Sequence, residues 1–148
     1  MQFAGVRIVD ATLPAIPMAP ASHHKNKMSK SRYRDLVVWQ RSRKLASDIY
    51  RTTQRFPKSE MFGLTQQIRR AALSVVCNIA EGHGRGSPND IVRFLVIARG
   101  SLFEIEAQAI LAADLEYLSV EHSDELVTQA LDVIRLLNGL IRHYHTKE

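Results

Sequence analysis

The sequence predicts an all-α protein: an antiparallel up-down-up-down four-helix bundle that assembles with copies of itself. Apolar residues recur three and four positions apart over four long segments, and the prolines fall between those segments or at their ends. The helices also carry more apolar surface than one bundle of this size can bury. The periodicity predicts the bundle, and the excess apolar surface predicts the assembly.

The chain divides into a tail and one domain. Residues 1–31 hold three of the five prolines and a polar run without helical period, which predicts a flexible N-terminal tail. Residues 32–148 are predicted to form the bundle, because a chain of this length can bury one core without a disulfide or a metal. The four helices are predicted at about 35–56, 60–82, 88–118 and 123–145.

The first two helices follow from their apolar stripes and end signals. In helix one, a stripe that begins at Val38 stops before Pro57, a residue that cannot continue a helix. In helix two, a stripe runs over residues 64–79, and Gly82 is predicted to cap the helix in a left-handed conformation.

The last two helices have equally clear start signals. Ser87 is predicted to be the N-cap of helix three, with Pro88 at the first helical position and Asp90 near the positive end of the dipole. A polar break at residues 119–123 then precedes helix four, whose apolar stripe covers residues 126–144.

Helices two and three are apolar on more than one side. One seven-residue series on helix three comprises Ile91, Ala98, Ile105 and Ala112. A second series, displaced by about 140° around the same helix, comprises Val96, Phe103, Ile110 and Tyr117. A thick core within one chain is one explanation, and a subunit interface is the one we favour. The predicted interface residues are Leu73, Val76, Cys77, Val96, Phe103, Ile110 and Tyr117. Gly100 is predicted to admit a neighbouring helix at close range.

Composition argues for a cytoplasmic protein. Cys77 is the only cysteine, which excludes an internal disulfide, and we interpret it as a small buried apolar residue. No run of 18 apolar residues is present, so no membrane span is predicted. The N-terminus lacks the basic segment and continuous apolar run of a signal peptide.

Basic residues form a ridge along helix one, interrupted by Asp48. Residues 1–100 carry 17 Lys or Arg against 6 Asp or Glu, whereas residues 101–148 carry 3 against 9. Cations in a row along a helix can follow a phosphate backbone, which predicts RNA binding or docking of a nucleic-acid-processing protein. An acidic protein partner, a neighbouring subunit and an ordinary solvated face remain alternatives. The ridge consists of Arg41, Lys44, Arg51, Arg55 and Lys58.

Two aromatic residues lie on another flank of helix one. Trp39 and Tyr50 have the spacing for stacking on bases or for packing at the core edge or a subunit interface, and we favour packing. Arg43 follows Trp39 by one helical turn, which permits a cation–π contact.

The sequence predicts no enzyme, cofactor, metal site or small-molecule substrate. It lacks the Glu-x-x-His pairs of a di-iron bundle, the His-Glu-x-x-His motif, and a complete nucleotide-binding loop around residues 82–86. The polar residues of the apolar second helix are instead predicted to join a structural network. That network comprises Asn78 and Glu81 with Arg69, Arg70 or Arg93.

Several segments carry a family resemblance. Gln66-Gln67-Ile68-Arg69-Arg70-Ala71-Ala72, Asn78-Ile79-Ala80-Glu81-Gly82 and Ala98-Arg99-Gly100-Ser101-Leu102 resemble the four-helix-bundle proteins encoded in intervening sequences of bacterial 23S ribosomal RNA genes. The resemblance covers about residues 33–145. Val76 and Cys77 depart from it, because relatives commonly have Pro and Ser there.

The resemblance implies a ring-shaped homopentamer with no established catalytic activity. The family is also similar to the accessory variability determinant of diversity-generating retroelements, a basic pentamer that associates with reverse transcriptase and nucleic acid. Self-association and RNA binding are therefore expected here. A shared fold does not by itself transfer function.

Overall fold

Four long helices make up most of the described chain. The computed structural model describes residues 33–146, so the predicted tail at residues 1–31 lies outside the described residues. The helices are α1 (Val37–Thr52), α2 (Leu64–Arg85), α3 (Pro88–Asp114) and α4 (Val120–His145). Short 3-10 turns occupy Tyr33–Asp35, Thr53–Arg55 and Lys58–Glu60. Residues 33–146 contain no strand, which confirms the all-α class.

The helices pack around one core. Helix α1 contacts α2 and α4, and α3 contacts the same two helices, which closes a four-helix bundle. Each helix contributes side chains with no exposed surface, such as Ile49, Ile68, Leu102 and Leu137. Burying an aliphatic side chain of this size contributes about 1.5–3 kcal/mol. Within the described part of the chain, no helix is long and apolar enough to cross a bilayer.

Helix α2 ends later than predicted, and the left-handed cap at Gly82 is wrong. The helix continues through Gly82 to Arg85, and Gly86 caps it with φ of 79°. Gly82 is buried where α2 crosses α3, and a Cβ added there would lie 2.8 Å from the Cβ of Phe94. Its lack of a side chain serves the close approach of two helices, not a turn.

The starts of α3 and α4 follow from local caps. Ser87 is extended and Pro88 occupies the first turn of α3, as predicted, although Ser87 makes no side-chain capping bond. Helix α4 begins at Val120, three residues earlier than predicted. Ser119 is its N-cap, because the Ser119 hydroxyl accepts a hydrogen bond from the backbone N–H of His122 at 3.2 Å.

Helix α3 ends at Asp114, four residues earlier than predicted. Glu116 adopts a left-handed φ of 60°, which stops the helix. The backbone N–H groups of Tyr117 and Leu118 then donate to the carbonyl of Ala112, at 2.9 and 3.3 Å. The resulting turn carries the chain from α3 to α4.

Candidate nucleic-acid interface

The basic ridge is exposed over its whole length. Arg41, Lys44 and Arg51 lie on α1, Arg55 lies in the 3-10 turn that follows, and Lys58 begins the next turn. All five side chains are accessible to solvent in the single chain. Their charges do not act alone, however, because α1 and α4 both place carboxylates beside them.

Asp48 neutralises the middle of the ridge. Its carboxylate accepts from Lys44 Nζ at 2.7 Å and from Arg51 Nη2 at 2.6 Å. Partial burial tends to raise the pKa of Asp48, but the hydrogen bonds from Lys44 and Arg51 outweigh burial and lower it. The carboxylate is therefore ionised, and it reduces the positive field around both cations.

Helix α4 adds further carboxylates next to α1. A groove of about 650 Å³ between the two helices is lined by Lys44 and Arg51 on one side and by Glu121, Asp124 and Glu125 on the other. Towards the start of α1, Arg41 and Asp132 line another cavity together. The first half of the ridge therefore faces a surface of mixed charge.

The end of the ridge has a different environment. Among residues 33–146, Arg55 and Lys58 form no ion pair, and both are exposed. Arg51 and Arg55 also line a pocket of about 400 Å³ with Ser119 and His122. Arg55 and Lys58 therefore place positive charge beyond the C-terminus of α1, and no direct partner cancels it.

Two connecting segments meet at this end of the bundle. Tyr117 donates its hydroxyl to Glu60 Oε1 at 3.2 Å, and its ring lies 5.8 Å from that of Phe56. Desolvation first, and then the neighbouring Glu60 carboxylate, raise the pKa of Tyr117. We call residues 53–63 and 115–119 together the loop end. Tyr117, predicted as an interface residue, joins the two segments within one chain.

Two apolar residues at the loop end were not among the sequence-predicted site residues. Phe62 is 83% exposed and Met61 is 56% exposed. Both lie within the segment predicted as helix two, at about 60–82, whereas α2 begins at Leu64. The signal that could have excluded them from the helix is the position of the pair between Pro57 and Gly63.

Trp39 and Tyr50 pack within the chain. Trp39 is partly buried against the core, its ring lies 5.1 Å from the ring of Tyr33, and the guanidinium of Arg43 lies 5.4 Å from it. Arg69 covers Tyr50 at 4.8 Å. The core-edge packing that the sequence favoured holds for Trp39, and its contact with Arg43 is present, whereas Tyr50 is exposed in the single chain.

The predicted interface residues are largely exposed in the single chain. Leu73, Val96, Phe103 and Ile110 are each 42–52% exposed, whereas Val76 is partly buried against the core. The interpretation of Cys77 as a buried residue is wrong for one chain, because it lies on the outer side of α2 and is exposed.

The outer face of α3 extends this apolar surface. Ile97 and Leu111 are also exposed, at 44% and 47%. A Cβ added at Gly100 would meet no atom of the described chain within 4 Å beyond its own helical backbone, so the neighbouring helix predicted there is absent from this chain. We call Val96, Ile97, Gly100, Phe103, Ile110 and Leu111 the α3 stripe.

Asn78 is held by serines, not by arginines. Its side-chain nitrogen donates to the carbonyl of Ser74 at 2.8 Å and lies 3.0 Å from the Ser74 hydroxyl. Ser101 on α3 donates to the same hydroxyl at 2.8 Å. Ser74 is one helical turn from Asn78, whereas Arg69 is nine residues away, so local geometry decides the partner.

Glu81 and Arg69 also have partners other than those predicted. Glu81 pairs with Arg85, one turn further along α2. Arg69 Nε donates to Thr53 Oγ1 at 2.8 Å, which ties α2 to the turn after α1. The predicted network of Asn78 and Glu81 with Arg69, Arg70 or Arg93 is therefore wrong. Arg70 and Arg93 are exposed.

Metal-binding side chains do not cluster in the part of the chain that the structure describes. No group of three or more His, Cys, Asp or Glu side chains is placed there to hold an ion. The sequence-based prediction that the protein uses neither metal nor cofactor stays a prediction.

The fold and this surface define a class: a four-helix bundle with a basic end and an apolar outer face. The family model described as "23S rRNA-intervening sequence protein" matches residues 34–139. The chain therefore belongs to the family of 23S rRNA-intervening sequence proteins.

Known proteins support the fold of this family member. A crystal structure of a protein of unknown function from the S23 ribosomal protein family of Bacteroides thetaiotaomicron is 26% identical to this chain, with a TM-score of 0.64. The match covers 71% of this chain and 98% of the other. No curated protein matches.

Proposed function

We propose that this protein is a non-enzymatic, self-associating cytoplasmic scaffold that binds RNA through the end of the basic ridge. Arg55 and Lys58 form the proposed RNA contact. The observation that carries the proposal is the exposure of Arg55 and Lys58 without an ion pair in the described chain.

The physics of phosphate binding favours the end of the ridge over its start. Affinity for RNA comes from cations that replace condensed counterions on the phosphates. Arg41 and Lys44 contribute less, because carboxylates of α1 and α4 share their cavities. Contacts of this kind position the backbone and carry no sequence information.

Assembly is the second part of the proposal. We propose an antiparallel up-down-up-down bundle and a closed homo-oligomeric ring, which the family resemblance implies is a pentamer. Pairs of residues that line shared cavities, Val37 with Leu136 and Arg51 with His122, occur in opposite order along α1 and α4, which supports the antiparallel order. The exposed α3 stripe supports a subunit contact.

A filter-binding experiment across a salt series tests the RNA contact. The variant Arg55→Gln/Lys58→Gln removes two cations from the proposed site, and Arg70→Gln/Arg142→Gln removes two exposed cations from α2 and α4 as a matched control. The first variant should flatten the slope of log affinity against log salt by about 1.4 for single-stranded RNA. Equal slopes for both variants would contradict the proposal.

A second candidate function is a protein-interaction adaptor. The mixed-charge groove between α1 and α4 favours it, because carboxylates beside the cations discourage a polyanion and suit a partner that carries both signs. Affinity capture from lysate, with and without nuclease, separates the two functions. Recovery of one defined protein, undiminished by nuclease, would support the adaptor.

A further inference from the structure

The loop end presents one aromatic side chain to solvent on a fixed turn. Phe62 is the most exposed of the large apolar residues in the described chain, at 83%. A single exposed apolar residue is unremarkable by itself. Phe62 differs because the backbone around it is held in place and because cations lie close to it in the chain.

Hydrogen bonds fix the turn that carries Phe62. The backbone N–H of Glu60 donates to Pro57 O at 2.9 Å, and that of Gly63 donates to Glu60 O at 3.0 Å. The carboxylate of Glu60 accepts from the backbone N–H of Leu64 at 2.9 Å. The ring of Phe62 is therefore displayed by an ordered segment, which lowers the entropic cost of binding to it.

The charges near Phe62 suit an anionic partner. Lys58 precedes it by four residues, and Arg55 precedes it by seven, both without an ion pair among residues 33–146. Glu60 is the nearest carboxylate in the sequence, and it accepts hydrogen bonds from the backbone N–H of Leu64 and from the Tyr117 hydroxyl. An exposed aromatic ring that follows two cations within seven residues of the chain matches the chemistry of an unpaired nucleotide, which has a flat base and a phosphate.

We propose that the loop end binds single-stranded RNA, with a base stacked on Phe62 and the flanking phosphates at Arg55 and Lys58. The proposal rests on RNA binding by the ridge and specifies the form of the RNA. Bases in a duplex are stacked on one another, so only an unpaired base can reach the ring. Stacking of this kind tolerates any base sequence, because every base has a flat face.

An anionic membrane surface is the competing partner. Basic residues near an apolar tip can bind such a surface, but stable anchoring requires more apolar area than one Phe and one Met supply. The geometry therefore favours RNA.

Fluorescence anisotropy with two labelled RNAs tests the inference. The probes are an oligouridylate of about 12 nucleotides and a duplex of equal length. Phe62→Ala should weaken oligouridylate binding about tenfold, leave the salt slope unchanged, and leave duplex binding unchanged. Phe62→Trp should retain the affinity for oligouridylate. Val37→Ala, which truncates an exposed apolar residue at the start of α1, is the matched control and should bind as the unmodified chain does.

The outcomes separate this inference from the proposed function. If Phe62→Ala binds oligouridylate as tightly as the unmodified chain, while the Arg55→Gln/Lys58→Gln variant binds weakly, base stacking on Phe62 is contradicted. RNA binding by the end of the ridge is then still supported. Equal weakening for duplex and single strand would also overturn stacking. If the unmodified chain binds neither RNA, both proposals fall. Binding to phosphatidylserine vesicles that depends on Phe62, with RNA binding unaffected by Phe62→Ala, would assign the surface to lipid instead.

Discussion

Asp48 reduces the number of ridge cations that are available to bind phosphate. The spacing of cations along α1 predicts a basic ridge, and Asp48 was recognised as an interruption of it. The structure makes that interruption stronger, because Asp48 bonds both Lys44 and Arg51, at 2.7 and 2.6 Å. Two of the five cations in the ridge are therefore paired with Asp48. Arg55 and Lys58, at the end of the ridge, have no ion pair among residues 33–146.

Asp48→Asn should lower stability in a pH-dependent way. The pKa of Asp48 is lowered in the folded chain, so its stabilising effect is present above the unfolded pKa of about 3.9 and is lost as pH falls through the folded pKa. A partly exposed pair contributes about 0.5–1 kcal/mol at pH 7. Urea unfolding of both proteins between pH 7 and strongly acidic pH measures the difference. A difference that persists unchanged at the acidic limit would contradict this role.

The same substitution should strengthen RNA binding. Asp48→Asn removes the carboxylate that offsets Lys44 and Arg51, so both cations become available to phosphates. We expect a higher affinity and a steeper salt dependence than in the unmodified chain. Asp90→Asn, at the start of α3, makes the same charge change away from the ridge and is the control. Indistinguishable affinities for the two variants would mean that Asp48 does not limit the ridge.

Helix α2 shows what elements can and cannot be predicted from a single sequence. The apolar stripe of α2 predicted that a helix would form there, because the three- and four-residue spacing can be read from the sequence alone. Its end was misplaced because Gly82, Gly84 and Gly86 all offer a left-handed cap locally. The contact of Gly82 with Phe94 on α3 excludes that role for Gly82, and such a contact depends on how the two helices pack.

Two glycine substitutions in α2 should have opposite effects. Gly82→Ala would place a Cβ 2.8 Å from Phe94 Cβ, and we expect about 1–3 kcal/mol of destabilisation from the forced shift. Gly84→Ala meets nothing within 4 Å and should stabilise the helix by about 0.5–1 kcal/mol. Chemical denaturation of both variants measures the two changes. Destabilisation of equal size would mean that helix packing does not distinguish the sites.

At the scale of the whole molecule, the α3 stripe accounts for the apolar excess in the sequence. The second seven-residue series on helix three predicted Val96, Phe103 and Ile110 as surface residues, and all three are exposed. Tyr117 belongs to the same series but lies beyond the end of α3, so it turns back onto Glu60. Sequence periodicity holds only as far as the helix does.

Phe103→Glu should separate the subunits without unfolding the chain. The side chain is 52% exposed in the single chain, so a charge there costs little in the monomer but is buried in the proposed interface. Val37→Glu, at another exposed apolar position, should leave assembly intact. Light scattering measures the mass, and circular dichroism checks the helices. An unchanged oligomer in Phe103→Glu would exclude the α3 stripe from the interface.

The candidate RNA site could be predicted only in part. All five ridge residues are exposed, as the pattern of α1 indicated. The carboxylates that α4 places beside Lys44 and Arg51 were not predictable in detail, because their position depends on how two helices far apart in the chain pack together. Phe62 was predicted inside helix two, but it lies in the turn before α2. In a turn, no helical period indicates which side chains face solvent.

The proposed function requires that one assembled species binds RNA. Size-exclusion chromatography with light scattering, run on the unmodified chain mixed with single-stranded RNA, tests it most directly. We expect a single peak whose protein mass is several times that of one chain and whose absorbance shows bound RNA. A peak with the mass of one chain, eluting apart from the RNA, would contradict it.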